Sequence, residues 1–171
     1  MYIPFDELPA TARAWVYQTN RPLTETEESY ALELGQQFTN QWAAHGNALR
    51  ASVKVFHRHF LVVAVDEQFN AASGCSIDSS VAFVRELEQK FTSAGSPISF
   101  FDRTQIAFWQ NDDIQLLPMN QAKKRVKEEN ISPDTITFNN SVTTLGAFEN
   151  QWKIPVKDSW LTRYLPQSAS V

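Results

Sequence analysis

The sequence predicts an α+β protein, a ferredoxin-like βαββαβ sandwich followed by a C-terminal β-rich extension. Segments with helical spacing of apolar residues alternate with short runs of β-branched and aromatic residues, in the order strand, helix, strand, strand, helix, strand. Hydrophobic residues make up 43% of the 171 residues and charged residues 20%, which is typical of a folded domain and not of a disordered chain.

The first two elements are a strand and a long helix. Ala12–Tyr17 is rich in strand-forming side chains. Thr24 and Glu27 have the spacing of a capping box, so a helix is expected to begin there, and Gly46 is expected to end it. The residues that recur every four positions should form its buried stripe: Tyr30, Leu34, Phe38 and Trp42.

A β-hairpin follows. Ala51–Phe56 alternates in polarity, whereas Phe60–Val65 is continuously apolar and is therefore expected to be a central strand. Only His57–His59 separates the two segments, which predicts a tight turn without the Gly or Asn that such turns usually contain.

The second helix is predicted at Ile77–Phe91, with Ser76 as its N-cap. Its buried stripe should consist of Ile77, Val81, Val84, Leu87 and Phe91. Gln105–Gln110 is the sixth element, and it forms a predicted hairpin with Ile114–Leu117 around Asn111–Asp113.

The remaining chain does not fit the ferredoxin-like module. It is interpreted as a basic helix at Asn120–Glu129, a strand at Thr135–Phe138 and a further strand at Val142–Leu145. We therefore expect residues 1–110 to form the ferredoxin-like module and residues 111–171 to form an extension or small subdomain packed on it.

Composition excludes several classes of protein. Fifteen basic and nineteen acidic residues give a net charge of −4, which provides no electrostatic reason to bind nucleic acid. The single cysteine excludes an internal disulfide framework and favours a reducing compartment. Met1–Glu7 lacks the features of a signal peptide, and Phe60–Val65, the longest apolar run, is too short to cross a membrane. The sequence thus predicts a soluble, cytoplasmic protein.

Four stretches spread over nearly the whole chain carry a family resemblance. They are Tyr2–Phe5, Ala72–Ser80, Phe101–Thr104 and Thr137–Asn140. Together they resemble an uncharacterised family of bacterial proteins that often bear the genome label "ABC transporter ATPase". A phosphate-binding P-loop needs two glycines five positions apart, the second followed by lysine. None of the five glycines meets this requirement, so ATP hydrolysis by this chain alone is not expected.

A second resemblance concerns residues 108–154. Their hairpin, helix, Ile131-x-x-Asp134-Thr135 segment and strand are similar in outline to small GYF-like peptide-binding modules. The defining Gly-Tyr-Phe sequence is absent, so the resemblance implies the shape and not the binding of proline-rich peptides.

The candidate ligand-binding residues lie at the predicted start of the second helix: Gly74, Cys75, Ser76, Asp78 and Ser79. Free amides and the helix dipole stabilise negative charge there, which suggests a site for an anionic group or an activated thiol. The structural alternative is a capping cluster with Cys75 as a small buried hydrophobe. The enzymatic alternative uses Cys75 for thiol chemistry, or Asp66 with Asp78 for metal-dependent chemistry.

Two further groups of residues suggest a partner. The cations Lys123, Lys124, Arg125 and Lys127 form either a solvated helix face, since Glu128 and Glu129 follow directly, or a surface that a phosphate or an acidic partner could recognise. Trp152, Trp160 and Tyr164 either clamp the C-terminal stretch onto the core or form an exposed anchor patch.

His57 and His59 supply only two metal ligands and are expected to be exposed residues at the hairpin tip. No catalytic set is complete, and no cofactor or metal is predicted. The sequence therefore favours an intracellular, non-enzymatic protein that binds a protein partner or a small anionic ligand.

Overall fold

The computed structural model describes residues 1–167, and its contacts divide the chain into two compact units. Unit 1 comprises Met1–Asp102 and Asn140–Asn150, and unit 2 comprises Arg103–Asn139 and the described residues from Gln151 onward. Both contain helices and strands, so the predicted α+β class is confirmed. None of the helices within residues 1–167 has both the length and the apolar character needed to cross a membrane.

Unit 1 is built on a three-stranded antiparallel sheet. Its elements up to residue 93 are β1 (Arg13–Gln18), α1 (Glu25–Gln41), β2 (Ala43–Ala44), β3 (Asn47–Ala48), β4 (Arg50–Phe56), β5 (Phe60–Asp66) and α2 (Gly74–Ser93). The strand order β1-β5-β4 places β5 in the centre, and all seven of its residues are buried. The continuous apolar run therefore predicted this strand correctly.

The complete βαββαβ order is not confirmed. Gln105–Gln110, the expected fourth strand, pairs instead with strands of unit 2. Within unit 1, Thr143 and Thr144 pair with the edge of β1 that faces away from β5. The Ala14 amide donates to the Thr143 carbonyl at 2.9 Å, and Arg13 forms an isolated antiparallel bridge with Thr144. The strand expected at Val142–Leu145 is reduced to this single bridge, because helix α4 (Leu145–Gln151) begins there.

Helix α1 begins as predicted, but a different row of residues is buried. Thr24 and Glu27 form the capping box. The row Glu27, Ala31, Gly35 and Thr39 faces the interior, and the predicted stripe Tyr30, Leu34 and Phe38 lies half-buried beside it. A Cβ atom on Gly35 would lie 2.8 Å from the Cβ of Val53, so small residues let the helix approach β4 closely. The helix ends at Gln41, and Gly46 lies instead in the β2–β3 turn with a φ of 80°.

The β4–β5 turn has an uncommon backbone conformation. His57 and Arg58 have φ angles of 51° and 57°, values that favour Gly or Asn. Hydrogen bonds to a distant loop stabilise the turn: the Arg58 Nε donates to the Leu23 carbonyl at 2.6 Å, and the Leu23 amide donates to the Arg58 carbonyl. His59 is buried, so its predicted place at an exposed hairpin tip is wrong.

Unit 2 contains a four-stranded antiparallel sheet and one longer helix. Its elements are β6 (Gln105–Gln110), β7 (Asp113–Pro118), α3 (Met119–Lys127), β8 (Ile136–Phe138) and β9 (Lys153–Pro155). The sheet order is β7-β6-β8-β9. The β6–β7 hairpin turns at Asn111 and Asp112 as predicted, and the expected division at residue 110 falls inside this hairpin.

The core of unit 2 links the sheet to α3 and to a 3₁₀ helix, Trp160–Tyr164. Its fully buried members are Phe108, Ala122, Val126, Ile131, Val156 and Leu161.

Candidate functional site

The residues predicted to bind an anion lie in the first turns of α2, but the helix begins earlier than expected. Ser73, and not Ser76, is the N-cap. The Ser76 amide donates to the Ser73 hydroxyl at 3.3 Å, and the Ser73 amide donates to the Ser76 hydroxyl at 2.7 Å. This reciprocal capping box extends the helix to Gly74 and leaves Ser76 buried. Ser76 therefore stabilises the first turn of α2 through the capping box.

The other four predicted residues are exposed. Cys75 lies at the surface, so its interpretation as a buried hydrophobe is wrong. The Ser79 hydroxyl already donates to the Cys75 carbonyl at 2.9 Å. An anion at this helix end would thus rely on backbone amides, with the carboxylate of Asp78 one turn away from Gly74.

The carboxylate pair of the enzymatic alternative is not arranged as a metal site. Asp66 is buried; its Oδ1 accepts a hydrogen bond from the Gln68 amide at 3.0 Å, and its Oδ2 lies 3.6 Å from Nη1 of Arg50. Asp78 is exposed. In the part of the chain that the structure describes, no three His, Cys, Asp or Glu side chains are grouped to hold a metal ion. The local bonds of Asp66 indicate a structural carboxylate.

Unit 2 carries a surface group of aromatic and basic side chains, in which Lys127, Trp160 and Arg163 are exposed and Lys123 and Tyr164 are half-buried. We call it the aromatic–basic surface and define it by Lys123, Lys127, Trp160, Arg163 and Tyr164. The first two lie one helical turn apart on α3, and the other three belong to the 3₁₀ helix.

The 3₁₀ helix of this surface is held in place by a buried anchor. Ser159 caps it: the hydroxyl accepts a hydrogen bond from the Leu161 amide at 3.1 Å and donates to the Val156 carbonyl at 2.8 Å. Leu161 is fully buried in the core that includes Ala122 and Val126 of α3. The anchor therefore fixes the neighbouring Trp160 beside α3 while leaving it 42% exposed.

The rings and cations of the aromatic–basic surface contact each other. The Trp160 and Tyr164 ring centroids are 6.0 Å apart with an interplanar angle of 90°. The Lys123 Nζ lies 5.9 Å from the Trp160 centroid and 5.3 Å from that of Tyr164, which is cation–π geometry. The Arg163 Nε donates to the Trp160 carbonyl at 3.1 Å.

The two lysines of the aromatic–basic surface have no carboxylate partner in the part of the chain that the structure describes. Within residues 1–167, neither Lys123 nor Lys127 forms an ion pair. Lys157 of the same unit, by contrast, lies 2.6 Å from Asp134, and the hydrogen bond and charge of this carboxylate raise the pKa of the lysine. Like charges one turn apart repel each other by about 0.2–0.5 kcal/mol. Lys123 and Lys127 thus lie near the half-buried Tyr164 ring and the exposed Trp160 ring without an ion pair among residues 1–167.

Trp152, which the sequence grouped with Trp160 and Tyr164, is a core residue. It is buried, its ring lies 4.9 Å from that of Phe138, and its carbonyl accepts a hydrogen bond from the Asn139 amide at 2.7 Å. The two interpretations of these aromatics therefore apply to different residues: Trp152 packs in the core, whereas Trp160 is an exposed anchor candidate.

Sequence reasoning missed Phe69, which is 69% exposed and is the most exposed large apolar residue of the part described. The Arg50 guanidinium carbon lies 5.5 Å from its ring centroid. Residues 68–74 are mostly small or polar, and a phenylalanine within such a segment is the available sequence signal of an exposed anchor.

A cleft of about 500 Å³ opens in unit 1 between the N-terminal segment, α1 and β4. Tyr2, Phe5 and Leu32 contribute apolar walls. Its lysine, Lys54, lies 3.2 Å from Asp6, so the positive charge in the cleft is already paired. The cleft therefore offers less charge selectivity than the aromatic–basic surface.

Comparison of the chain with protein-family models, curated proteins and solved structures finds no match. The resemblance to the uncharacterised bacterial family and the outline similarity to GYF-like modules stay predictions.

Proposed function

We propose that this chain is an intracellular, non-enzymatic recognition protein that binds a protein partner through the aromatic–basic surface. The observation that carries the proposal is the 42% exposure of Trp160, next to a leucine that is fully buried. Tryptophan, tyrosine and arginine are the residues most enriched at interface hot spots. Burying the exposed part of one tryptophan, about 100 Å² of apolar area, would contribute about 2 kcal/mol to binding.

The support for this surface also includes its pre-organisation. Leu161 and the Ser159 cap hold the 3₁₀ helix, and Lys123 lies over the exposed Trp160 ring and the half-buried Tyr164 ring. Side chains that are already ordered lose less conformational entropy when a partner binds. The surface is therefore suited to recognition without a folding step.

The small anionic ligand and the thiol or metal enzyme have weaker support. The hydroxyls of Ser76 and Ser79 already bond within α2, and Asp66 is occupied by Arg50 and Gln68. Cys75 is exposed, but the described residues contain no group of three His, Cys, Asp or Glu side chains that could hold a metal ion.

Site-specific photocrosslinking tests the proposed function. The photoreactive residue p-benzoylphenylalanine replaces Trp160 in the full chain, expressed in the cells that naturally produce it. Gln121, exposed on α3, is the matched control position. We expect discrete crosslinked proteins from position 160, none of them from position 121, and their loss when Tyr164→Ala is added. An identical set from both positions would contradict the proposal.

We also propose that unit 1 is a ferredoxin-like sandwich in which the segment at Thr143 and Thr144 takes the place of the fourth strand. The support is that β5 lies between β1 and β4, and that the Ala14 amide donates to Thr143 on the free edge of β1. Amide hydrogen exchange tests it: the Ala14 amide should exchange as slowly as those of β5. Fast exchange at Ala14 would leave a sheet of only three strands.

A further inference from the structure

We infer that the partner segment recognised by the aromatic–basic surface is an extended acidic peptide with carboxylates at positions i and i+2 and one apolar side chain two positions from one of them, on the same side of the peptide. The inference rests on the proposed function and adds the chemistry of the partner. Three features of the surface carry it: its charge, its spacing and the arrangement of its rings.

The side chains that define the aromatic–basic surface carry positive charge, and its lysines form no ion pair among residues 1–167. Helix α3, with the sequence MNQAKKRVK, contains no acidic residue. Lys123 and Lys127 lack carboxylate partners within residues 1–167, and the Arg163 Nε uses only a backbone carbonyl. Carboxylates from a partner would form ion pairs with these side chains. Such charge complementarity determines binding specificity and raises the association rate.

The spacing of the two lysines fits an extended peptide. Lys123 and Lys127 are separated by four helical residues, or about 6 Å along the helix axis. Alternate residues of an extended chain point to the same side and are about 6.6 Å apart. A peptide with Glu or Asp at positions i and i+2 can therefore place one carboxylate on each ammonium.

The rings of the aromatic–basic surface favour a peptide over a nucleic acid. Trp160 and Tyr164 are perpendicular, and the Lys123 ammonium lies over both, so they do not offer the successive parallel faces on which bases stack. The exposed part of Trp160 instead suits one apolar side chain that lies on the same side of an extended peptide as its carboxylates.

The experiment measures fluorescence anisotropy of labelled probes with the full chain. One short peptide has Glu at positions i and i+2 and Phe at position i−2, so that all three side chains lie on the same side of the extended chain. A second peptide has Gln in place of each Glu, and the third probe is single-stranded oligo-dT of equal charge. We expect the Glu peptide to bind with a Kd about tenfold lower than that of the Gln peptide at low salt, and to weaken as salt rises.

Charge variants assign the effect to the surface. Lys123→Gln combined with Lys127→Gln should remove the preference for the Glu peptide. Lys157→Gln, which removes a cation already paired with Asp134, should leave it unchanged. Circular dichroism verifies that each variant is folded.

The outcomes separate this inference from the proposed function. Equal binding of the Glu and Gln peptides, no binding of the Glu peptide, or an unchanged preference in the double variant would each overturn the acidic partner. Tighter binding of oligo-dT than of the Glu peptide would overturn it in favour of nucleic acid. In each case, persistent crosslinks from position 160 would preserve the proposed function, whereas the loss of these crosslinks would remove both.

Discussion

The ion pair between Glu27 and Arg21 is expected to make unit 1 sensitive to acid. Glu27 is buried, and its carboxylate is bidentate to Arg21: Nη2 donates to Oε1 at 2.8 Å and Nη1 to Oε2 at 2.9 Å. The Ser96 hydroxyl and the Thr24 amide donate to the same carboxylate at 2.8 and 2.9 Å. These hydrogen bonds lower the pKa of Glu27 from 4.5 to about 2, and the bonds from the Arg21 side chain have the largest effect. The same partnership raises the pKa of Arg21.

The magnitude follows from the two pKa values of Glu27. A difference of one pH unit between the unfolded and folded pKa is worth about 1.4 kcal/mol, so 4.5 against about 2 corresponds to about 3 kcal/mol of unfolding free energy. The folded state has the lower pKa. Its extra stability is therefore complete above pH 4.5 and is lost as the pH falls through that value towards about 2.

Urea unfolding of the wild type and of Glu27→Gln, followed by circular dichroism from about pH 7 to about pH 2.5, tests this. We expect the wild type to be more stable than Glu27→Gln at neutral pH. The difference between their unfolding free energies should decrease by about 2 to 3 kcal/mol in acid. Glu25→Gln is the control, because Glu25 is exposed in the same helical turn and forms no ion pair within residues 1–167. A difference between wild type and Glu27→Gln that stays constant down to the lowest pH would refute the reasoning.

Three further predictions concern single positions. Gly35→Ala should lower the free energy of unfolding by about 1 to 2 kcal/mol, because the clash with Val53 exceeds the gain in helix propensity; unchanged or higher stability in urea would show that α1 can shift. Ser52→Ala should raise it by about 1 kcal/mol, since this fully buried hydroxyl has no hydrogen-bond partner among the described residues. The comparison is Ser159→Ala, where two hydrogen bonds are lost and stability should fall by about 1 kcal/mol. Cys75 should react with iodoacetamide in the native protein without denaturant; labelling only after unfolding would contradict its exposure.

Short-range chemistry made several elements predictable. The capping box of Thr24 and Glu27 and the β6–β7 hairpin involve partners that are close in the chain. The continuous apolar run of β5 predicts a strand that is buried on both faces, without reference to any particular partner. Near the start of α2, however, serine caps at two positions compete, and the choice of Ser73 over Ser76 depends on which gives the reciprocal bonds.

Long-range pairing was not predictable in the same way. The local pattern of Gln105–Gln110 identifies a strand but not its neighbours, and it joins β7 and β8 in unit 2. In α1, the most hydrophobic row is not the most buried one, because the approach to Val53 selects the row that contains Gly35. Such choices depend on contacts between distant segments.

The sequence by itself determined the α+β class, the presence of a basic helix and the candidates for an exposed aromatic anchor. Only the tertiary structure decided that Trp152 is buried, that Trp160 is exposed, and that Lys123 lies over the rings of Trp160 and Tyr164. The physical reason is that burial is a property of a packed neighbourhood. Leu161 packs in the core with residues of α3, and this position leaves the adjacent Trp160 at the surface.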